Sequence, residues 1–221
     1  MRNVYNKQLD QLKQMLMEMG GMIGSAIVKA IRALKDQDKE LAGKAIAGDE
    51  DIDQKERDIE SLCLKLLLHQ QPVAEDLRLI SAAMRMIGDM ERIGDHAADI
   101  SEITIHMAGT PYIKELAHIP QMAQIAIGMV NRAVDAFINK DLGLAMSVIE
   151  QDDKVDELFK TVRSELIDLN RSDGVNNEQA LDLLMIAKYI ERIGDHAENI
   201  AEWVVFSITG EHKRVSWENE E

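Results

Sequence analysis

Glu91-Arg92-Ile93-Gly94-Asp95-His96-Ala97 returns as Glu191-Arg192-Ile193-Gly194-Asp195-His196-Ala197, 100 residues further along the chain. Ile100 and Glu102 return as Ile200 and Glu202. Upstream, Asp49-Glu50-Asp51-Ile52-Asp53 resembles Asp152-Asp153-Lys154-Val155-Asp156 at an offset of 103, and Asp38 falls on Asp141 at that same offset. The change of offset makes the second half three residues shorter between the two motifs. Seven identical residues at matched positions mark an internal duplication of about 100 residues.

The hydrophobic period is helical almost throughout. Leu9, Leu12, Leu16, Met19, Ile23, Ile27, Ala30 and Leu34 make one apolar stripe on a first helix over about 6–35. A second helix is expected over about 38–69, ended by Gln70-Gln71-Pro72 because proline disfavours helix at the residue before it. A third runs from near Val73 to about Met107. Gly109-Thr110-Pro111 is the expected boundary. Helices then follow from 113 or 121 to 139, over 141–170 and over 177–207, with a turn-rich break at Ser172–Asn177 and a stop at Thr209-Gly210. The expected fold class is all-α: two tandem, similar three-helix bundles, six helices in all. The expected division is 1–109, 110–208 and a polar C-terminal tail, 209–221.

Composition narrows the function. The 221 residues carry 25 Lys and Arg against 40 Asp and Glu, a formal net charge of −15. Binding to nucleic acid needs clustered positive charge, so no nucleic-acid partner is expected. The single cysteine, Cys63, excludes an internal disulfide framework and an all-cysteine metal site. No apolar run approaches the ~20 residues that cross a bilayer, and the first residues lack a signal-peptide core. The expectation is a cytoplasmic protein, peripheral to the membrane at most.

On a helical wheel at about 100° per residue, Glu91, Asp95, Asp99 and Glu102 form one stripe opposite the core stripe. Glu191, Asp195, Asn199 and Glu202 repeat it, with an amide in place of one acid. The pairs Asp49/Asp53 and Asp152/Asp156 stack at i, i+4 on the preceding helices. A solvated acidic face is one reading. Three features favour a cation site. Like charges at i, i+4 destabilise a helix, yet the stripe is built twice. Gly94 and Gly194 sit inside helices, where Gly costs ~1 kcal/mol against Ala, so a neighbour must come close. Carboxylates converging from two helices repel unless a cation sits between them, and hard oxygen ligands suit Mg²⁺, Ca²⁺, Mn²⁺ or iron. His96 and His196 lie between acid stripe and core. They are open to three roles: metal ligand, partner of a carbonyl or an acid on a neighbouring helix, or a group that orients a nearby acid such as Asp99. Arg92 and Arg192 are expected to pair with Asp95 and Asp195.

Catalytic alternatives lack their parts. A carboxylate-bridged di-iron bundle needs two Glu-x-x-His motifs facing inward. Glu115-Leu116-Ala117-His118 supplies one, with no second to match it. There is no P-loop and no Gly-x-Gly-x-x-Gly after a strand. Gly20 and Gly21 fit close helix packing or a kink. No catalytic or cofactor-binding residue is expected, and the chain is read as a non-enzyme. Two alternatives stand beside that reading: a metal-dependent phosphoester-processing enzyme and a metal-free structural bundle.

The duplicated motif at 91–97 and 191–197, the acid pairs at 49–53 and 152–156, and the opening helix with Met19-Gly20 and Ala30-Ile31-Arg32-Ala33-Leu34 resemble the PhoU family of phosphate-uptake regulators. The resemblance covers about residues 1–208. It implies a cytoplasmic adaptor between the subunits of a high-affinity phosphate ABC transporter and a membrane sensor histidine kinase. Such proteins repress the phosphate-starvation response and limit uptake when phosphate is plentiful. The resemblance also implies multinuclear metal clusters of iron, zinc, manganese or magnesium on Asp49/Asp53, Glu91/Asp95, Asp152/Asp156 and Glu191/Asp195, with Asp99 extending the first. Asn199 departs from the motif, which implies fewer or weaker metals in the second cluster. A homodimer is expected.

Overall fold

A computed structural model describes residues 2–69, 73–171 and 177–211. Among these the chain is helical: α1 (Arg2–Asp36), α2 (Lys39–Ala47), α3 (Asp49–His69), α4 (Ala74–Met107), α5 (His118–Asn139), α6 (Leu142–Arg171) and α7 (Asn177–Thr209). The expected turns at Gln70-Gln71-Pro72 and at 172–176, and the tail beyond Glu211, lie outside the described residues.

The expected second helix is two. Gly48 caps α2, its N–H reaching the carbonyls of Lys44 and Ala45 at 3.3 and 3.2 Å, and α3 starts at the next residue. In the second half Gln151 stands at the matching position and α6 runs unbroken. Glycine has the weakest hold on a helix after proline, so the break falls in the half that carries it.

The duplication reaches the turns. Gln37 and Lys140 both take the left-handed conformation at φ 53°. The following amides, Asp38 and Asp141, donate back to Ala33 and Ala136 at 3.0 and 2.9 Å, the bond that closes a Schellman motif. Asp38 and Asp141 then cap the next helices, accepting from Leu41 and Leu144 N–H at 3.0 and 2.9 Å. The match of Asp38 with Asp141 is a shared helix-starting turn.

Helices α1–α4 pack on one another, as do α5–α7, and α4 against α7 and α1 against α5 join the halves. Each joining pair consists of equivalent helices, the pattern a two-fold relation imposes. The apolar core runs without interruption through both bundles. Gly20 serves the α1–α5 contact: a Cβ there would meet Val134 Cγ2 at 3.3 Å. Cys63 is fully buried, and burial pushes its thiol up to about 12, so it is a core residue with no nucleophilic role.

The linker is held from both sides. Buried Gln179 on α7 accepts from Ile113 N–H at 2.6 Å and donates to Thr110 Oγ1 and the Pro111 carbonyl at 3.3 and 3.2 Å. Gln37 Nε2 donates to the Thr110 carbonyl at 2.7 Å, and the Tyr112 hydroxyl donates to the Leu34 carbonyl. Gln179→Ala leaves buried linker groups without partners and is expected to cost about 2 kcal/mol. Calorimetry should then show a melting point lower by roughly 4–8 °C. A fall below about 1 °C would remove Gln179 from the linker's support.

Candidate metal centres

Each acid pair predicted on the second and fifth helices meets an aspartate of the repeated motif. Asp49 and Asp53 of α3 join Asp95 of α4. Asp152 and Asp156 of α6 join Asp195 of α7. In each triad, one carboxylate oxygen per residue lies within 4.8 Å of the other two. All six side chains are half-buried. A stripe opposite the core stripe of its own helix would by itself be an outer, solvated face. The acid stripe lies instead in the seam between α4 and α3, and between α7 and α6.

Glycine makes the seam. A Cβ on Gly94 would lie 2.8 Å from Asp49 Oδ1 and 3.1 Å from Ile52 Cδ1. A Cβ on Gly194 would lie 2.8 Å from Asp152 Oδ1 and 3.4 Å from Val155 Cγ1. The mid-helix glycines therefore give room to a carboxylate and an aliphatic side chain of the facing helix. The two oxygens so enclosed, Asp49 Oδ1 and Asp152 Oδ1, are buried and accept no hydrogen bond from the described residues. A buried acceptor without a donor is costly and calls for an explanation. Burial, followed by Asp95, Asp53 and Asp99, raises Asp49 from 3.8 to about 6. Burial, followed by Asp195, Glu198, Asp156 and Glu191, raises Asp152 to about 7. Burial and then Glu191 raise Asp195 as well. An oxygen-only triad that is short of donors and crowded with like charge fits a hard cation.

The other expected ligands divide. Glu91 is half-buried beside the first triad, raised by burial and then by Asp95. Arg92 lies 2.9 Å from Asp95 Oδ2 and 3.5 Å from Glu91 Oε2, the ion pair the spacing predicted. Glu191 is buried against Lys188. Asp99 raises Asp49 but is turned to His96, whose Nδ1 is 3.4 Å from its Oδ2. Asn199 donates to Asp89 Oδ1 at 3.3 Å, across to the first repeat. Glu198 and Glu56 were missed. Glu198 bears on Asp152, and Glu56 bears on Glu91. Both stand seven residues from a predicted ligand, Glu191 or Asp49, so the helical period carried the signal. Neither has an acidic counterpart in the other repeat.

The histidines face the seam between the repeats. His96 is 7% exposed, and its ring centroid lies 5.3 Å from that of Tyr189 and 5.6 Å from that of His196. Burial lowers its pKa. His196 Nδ1 is 2.9 Å from Asp89 Oδ1 on α4. Of the three open roles, His196 takes the second, partner of an acid on a neighbouring helix, and His96 the third.

A duplicated three-helix bundle with an acid triad in each repeat defines the class, a tandem helical-bundle protein with two oxygen-lined seams. The PhoU domain matches residues 16–104 and again 119–204, and the chain belongs to the PhoU family. It is 39% identical over 186 residues to the "phosphate-specific transport system accessory protein PhoU homolog" of Aquifex aeolicus, covering 84% of each chain. The crystal structure of PhoU from Pseudomonas aeruginosa superposes with a TM-score of 0.90 at 34% identity, covering 94% of this chain and 100% of that one. The phosphate transport system regulatory protein PhoU from Streptococcus pneumoniae superposes with a TM-score of 0.87 at 28% identity, over 95% and 99%. Among the described residues no helix is long and apolar enough to cross a membrane.

The sign of the pH dependence follows from the raised carboxyls. In the folded, metal-free protein Asp49 and Asp152 hold protons to about pH 6 and 7, whereas their ordinary value is 3.8. The fold then binds more protons than the unfolded chain, so their contribution to stability is lost as pH rises from about 4 to 7. Metal-free protein should melt higher at pH 5 than at pH 7.5, and Asp49→Asn with Asp152→Asn should flatten that slope. An unchanged slope in the double variant would assign it to net charge alone. Gly94→Ala should lower metal affinity tenfold or more at the first triad and leave the second intact, as titration calorimetry of the Gly94→Ala and Gly194→Ala pair would resolve.

Proposed function

We propose that the two triads bind cations and that the protein regulates phosphate transport as an adaptor, repressing the starvation response when phosphate is plentiful. The observation that carries this reading is the duplicated, donor-less oxygen of Asp49 and Asp152 beneath a glycine. Asp49, Asp53 and Asp95 would hold metal in the first seam, and Asp152, Asp156 and Asp195 in the second; Glu91 stands beside the first triad, and Glu191 is taken by Lys188. A bound cation supplies local positive charge on a protein of net charge −15, which opens the seams to anions such as phosphate. Iron, zinc, manganese and magnesium all accept oxygen ligands, and the cluster's nuclearity belongs to the same proposal. Subunits of a phosphate ABC transporter and a membrane sensor histidine kinase are the proposed partners, met at the cytoplasmic face by a homodimer. The named relatives are accessory and regulatory proteins, which supports a regulatory role over a catalytic one.

A phosphate-starvation reporter tests the reading in cells that lack this chain. In ample phosphate its output should be high, and the intact chain should restore it to low. Asp49→Asn, Asp53→Asn, Asp152→Asn and Asp156→Asn together should fail to restore it while keeping the helical circular dichroism. Low output without the chain would overturn repression. Full rescue by the quadruple variant, with its metal content lost, would overturn the role of the metal.

A further inference from the structure

The repeats agree at the triads and differ one turn away. In the second repeat the Lys188 ammonium pairs with both carboxylate oxygens of Glu191 and lies 5.4 Å from the Phe159 ring centroid. The matching residues of the first repeat are Gly88, Glu91 and Glu56. All three line one open groove of about 650 Å³ between α3, α4 and α7, flanked by Arg85 and Trp203. The corner of the groove between Gly88, Glu91 and Glu56 therefore matches the space that a lysine side chain fills in the other repeat. A Cβ on Gly88 would have no heavy atom within 4 Å. The Glu91 side chain is 26% exposed, against 11% for Glu191 under its lysine.

The cations already present do not take that place. Arg92 makes its closer contact with Asp95 and approaches Glu91 only to 3.5 Å. Arg85 lies over the Trp203 ring, 5.7 Å from its centroid. Asp89, the remaining acid of the groove, is held by His196 and Asn199. Among the described residues Glu56 has no ion pair, and it stands where the second repeat has the apolar Phe159. On these matched residues the first-repeat groove thus carries two more carboxylates than its counterpart, Glu56 for Phe159 and Asp89 for Tyr189, and one lysine fewer. A metal ion alone is much smaller than the groove. A lysine supplies both a compact charge for the carboxylates and a methylene stem to lie along the open face of α4 at Gly88.

We propose that this groove receives the side chain of a lysine exposed on a protein partner, its ammonium taking on Glu91 the place that Lys188 takes on Glu191. Only the partner's being a protein rests on the adaptor reading; the recognition of an ammonium does not.

The test uses n-butylammonium, a lysine side-chain mimic, titrated into the metal-loaded, ¹⁵N-labelled full chain, with matched sodium chloride as the control. The Trp203 indole and Gly88 amide signals should shift saturably, with half-saturation on the order of 1–10 mM. In Gly88→Lys, which carries its own ammonium as the second repeat does, the Trp203 shift should fall at least tenfold. Metal content should be unchanged, and the melting point should be equal or slightly higher because a helix-interior glycine has been replaced. Equal shifts in wild type and Gly88→Lys, equal shifts with sodium chloride, or loss of metal from Gly88→Lys would each overturn the groove as an ammonium site. In the reporter strain Gly88→Lys should fail to repress. Normal repression by Gly88→Lys, with amine binding lost, would overturn the partner while the ammonium site stands. A change of oligomeric state in Gly88→Lys on ultracentrifugation would overturn it too, since the lysine would then come from a second copy of this chain.

Discussion

A carboxylate oxygen held against a helix backbone, with no donor in reach, sets the terms for the rest of the structure. Asp49 Oδ1 lies 2.8 Å from where a Cβ on Gly94 would stand, and Asp152 Oδ1 lies at the same distance from a Cβ on Gly194. Each glycine costs its helix ~1 kcal/mol, and each orphaned oxygen costs on the order of 1–3 kcal/mol more. These are large sums for a fold whose net stability is of order 10 kcal/mol. The contact also holds the helices together. Ile52 and Val155, both buried, pack on the same glycines, so the approach that strands the oxygen also closes the core. Relaxing the carboxylate would mean moving α3 off α4 and α6 off α7. The strain is electrostatic, and a cation relieves it without moving a helix.

The same two helices that carry the motif build the seam between the repeats. Because α4 meets α7, the motif's acids face outward to α3 and α6 while its histidines face one another. The symmetry is broken there by Asp89 and Tyr189, which stand at matched positions. His196 finds a carboxylate across the seam, and His96 finds an aromatic ring. Gln179 and the linker fix the same pair of bundles at another point. The two triads thus sit in one rigid frame, held by a continuous core and by polar contacts that differ from one repeat to the other.

Much of this was legible in the residues. The seven-residue repeat located α4 and α7, and the helical period located the triads and required a close neighbour at Gly94 and Gly194. What the wheel could not supply was depth. It places Asp95 opposite the core of its own bundle and is blind to α3 lying across that face, so a half-buried seam reads as an outer surface. Asn199 was grouped with the acids because its counterpart is Asp99. Which neighbour an exposed amide meets depends on how the repeats dock, and nothing in the local period encodes that. The split at Gly48 was open to the sequence, but a single glycine in a strong periodic run carries less weight than the run itself. Gly88 and Lys188 give no such signal, because a repeat is legible only in what its halves share.

A duplicated chain holds its own comparison, and differences between its halves are as informative as identities. Asp49, Asp53, Asp95 and Gly94 have identical counterparts, which fits two sites doing the same chemistry. Glu56, Gly88 and Asp89 have counterparts of other charge or size, and all three line the groove beside the first triad. Had the second repeat also carried glycine at 188, an open groove would be a general property of the bundle and would say little. A lysine there, bound to the matching glutamate, gives the charge and shape of what fits. The triads set what the two halves do alike, and the turn beside them, filled in one half and open in the other, sets what only the first half can do.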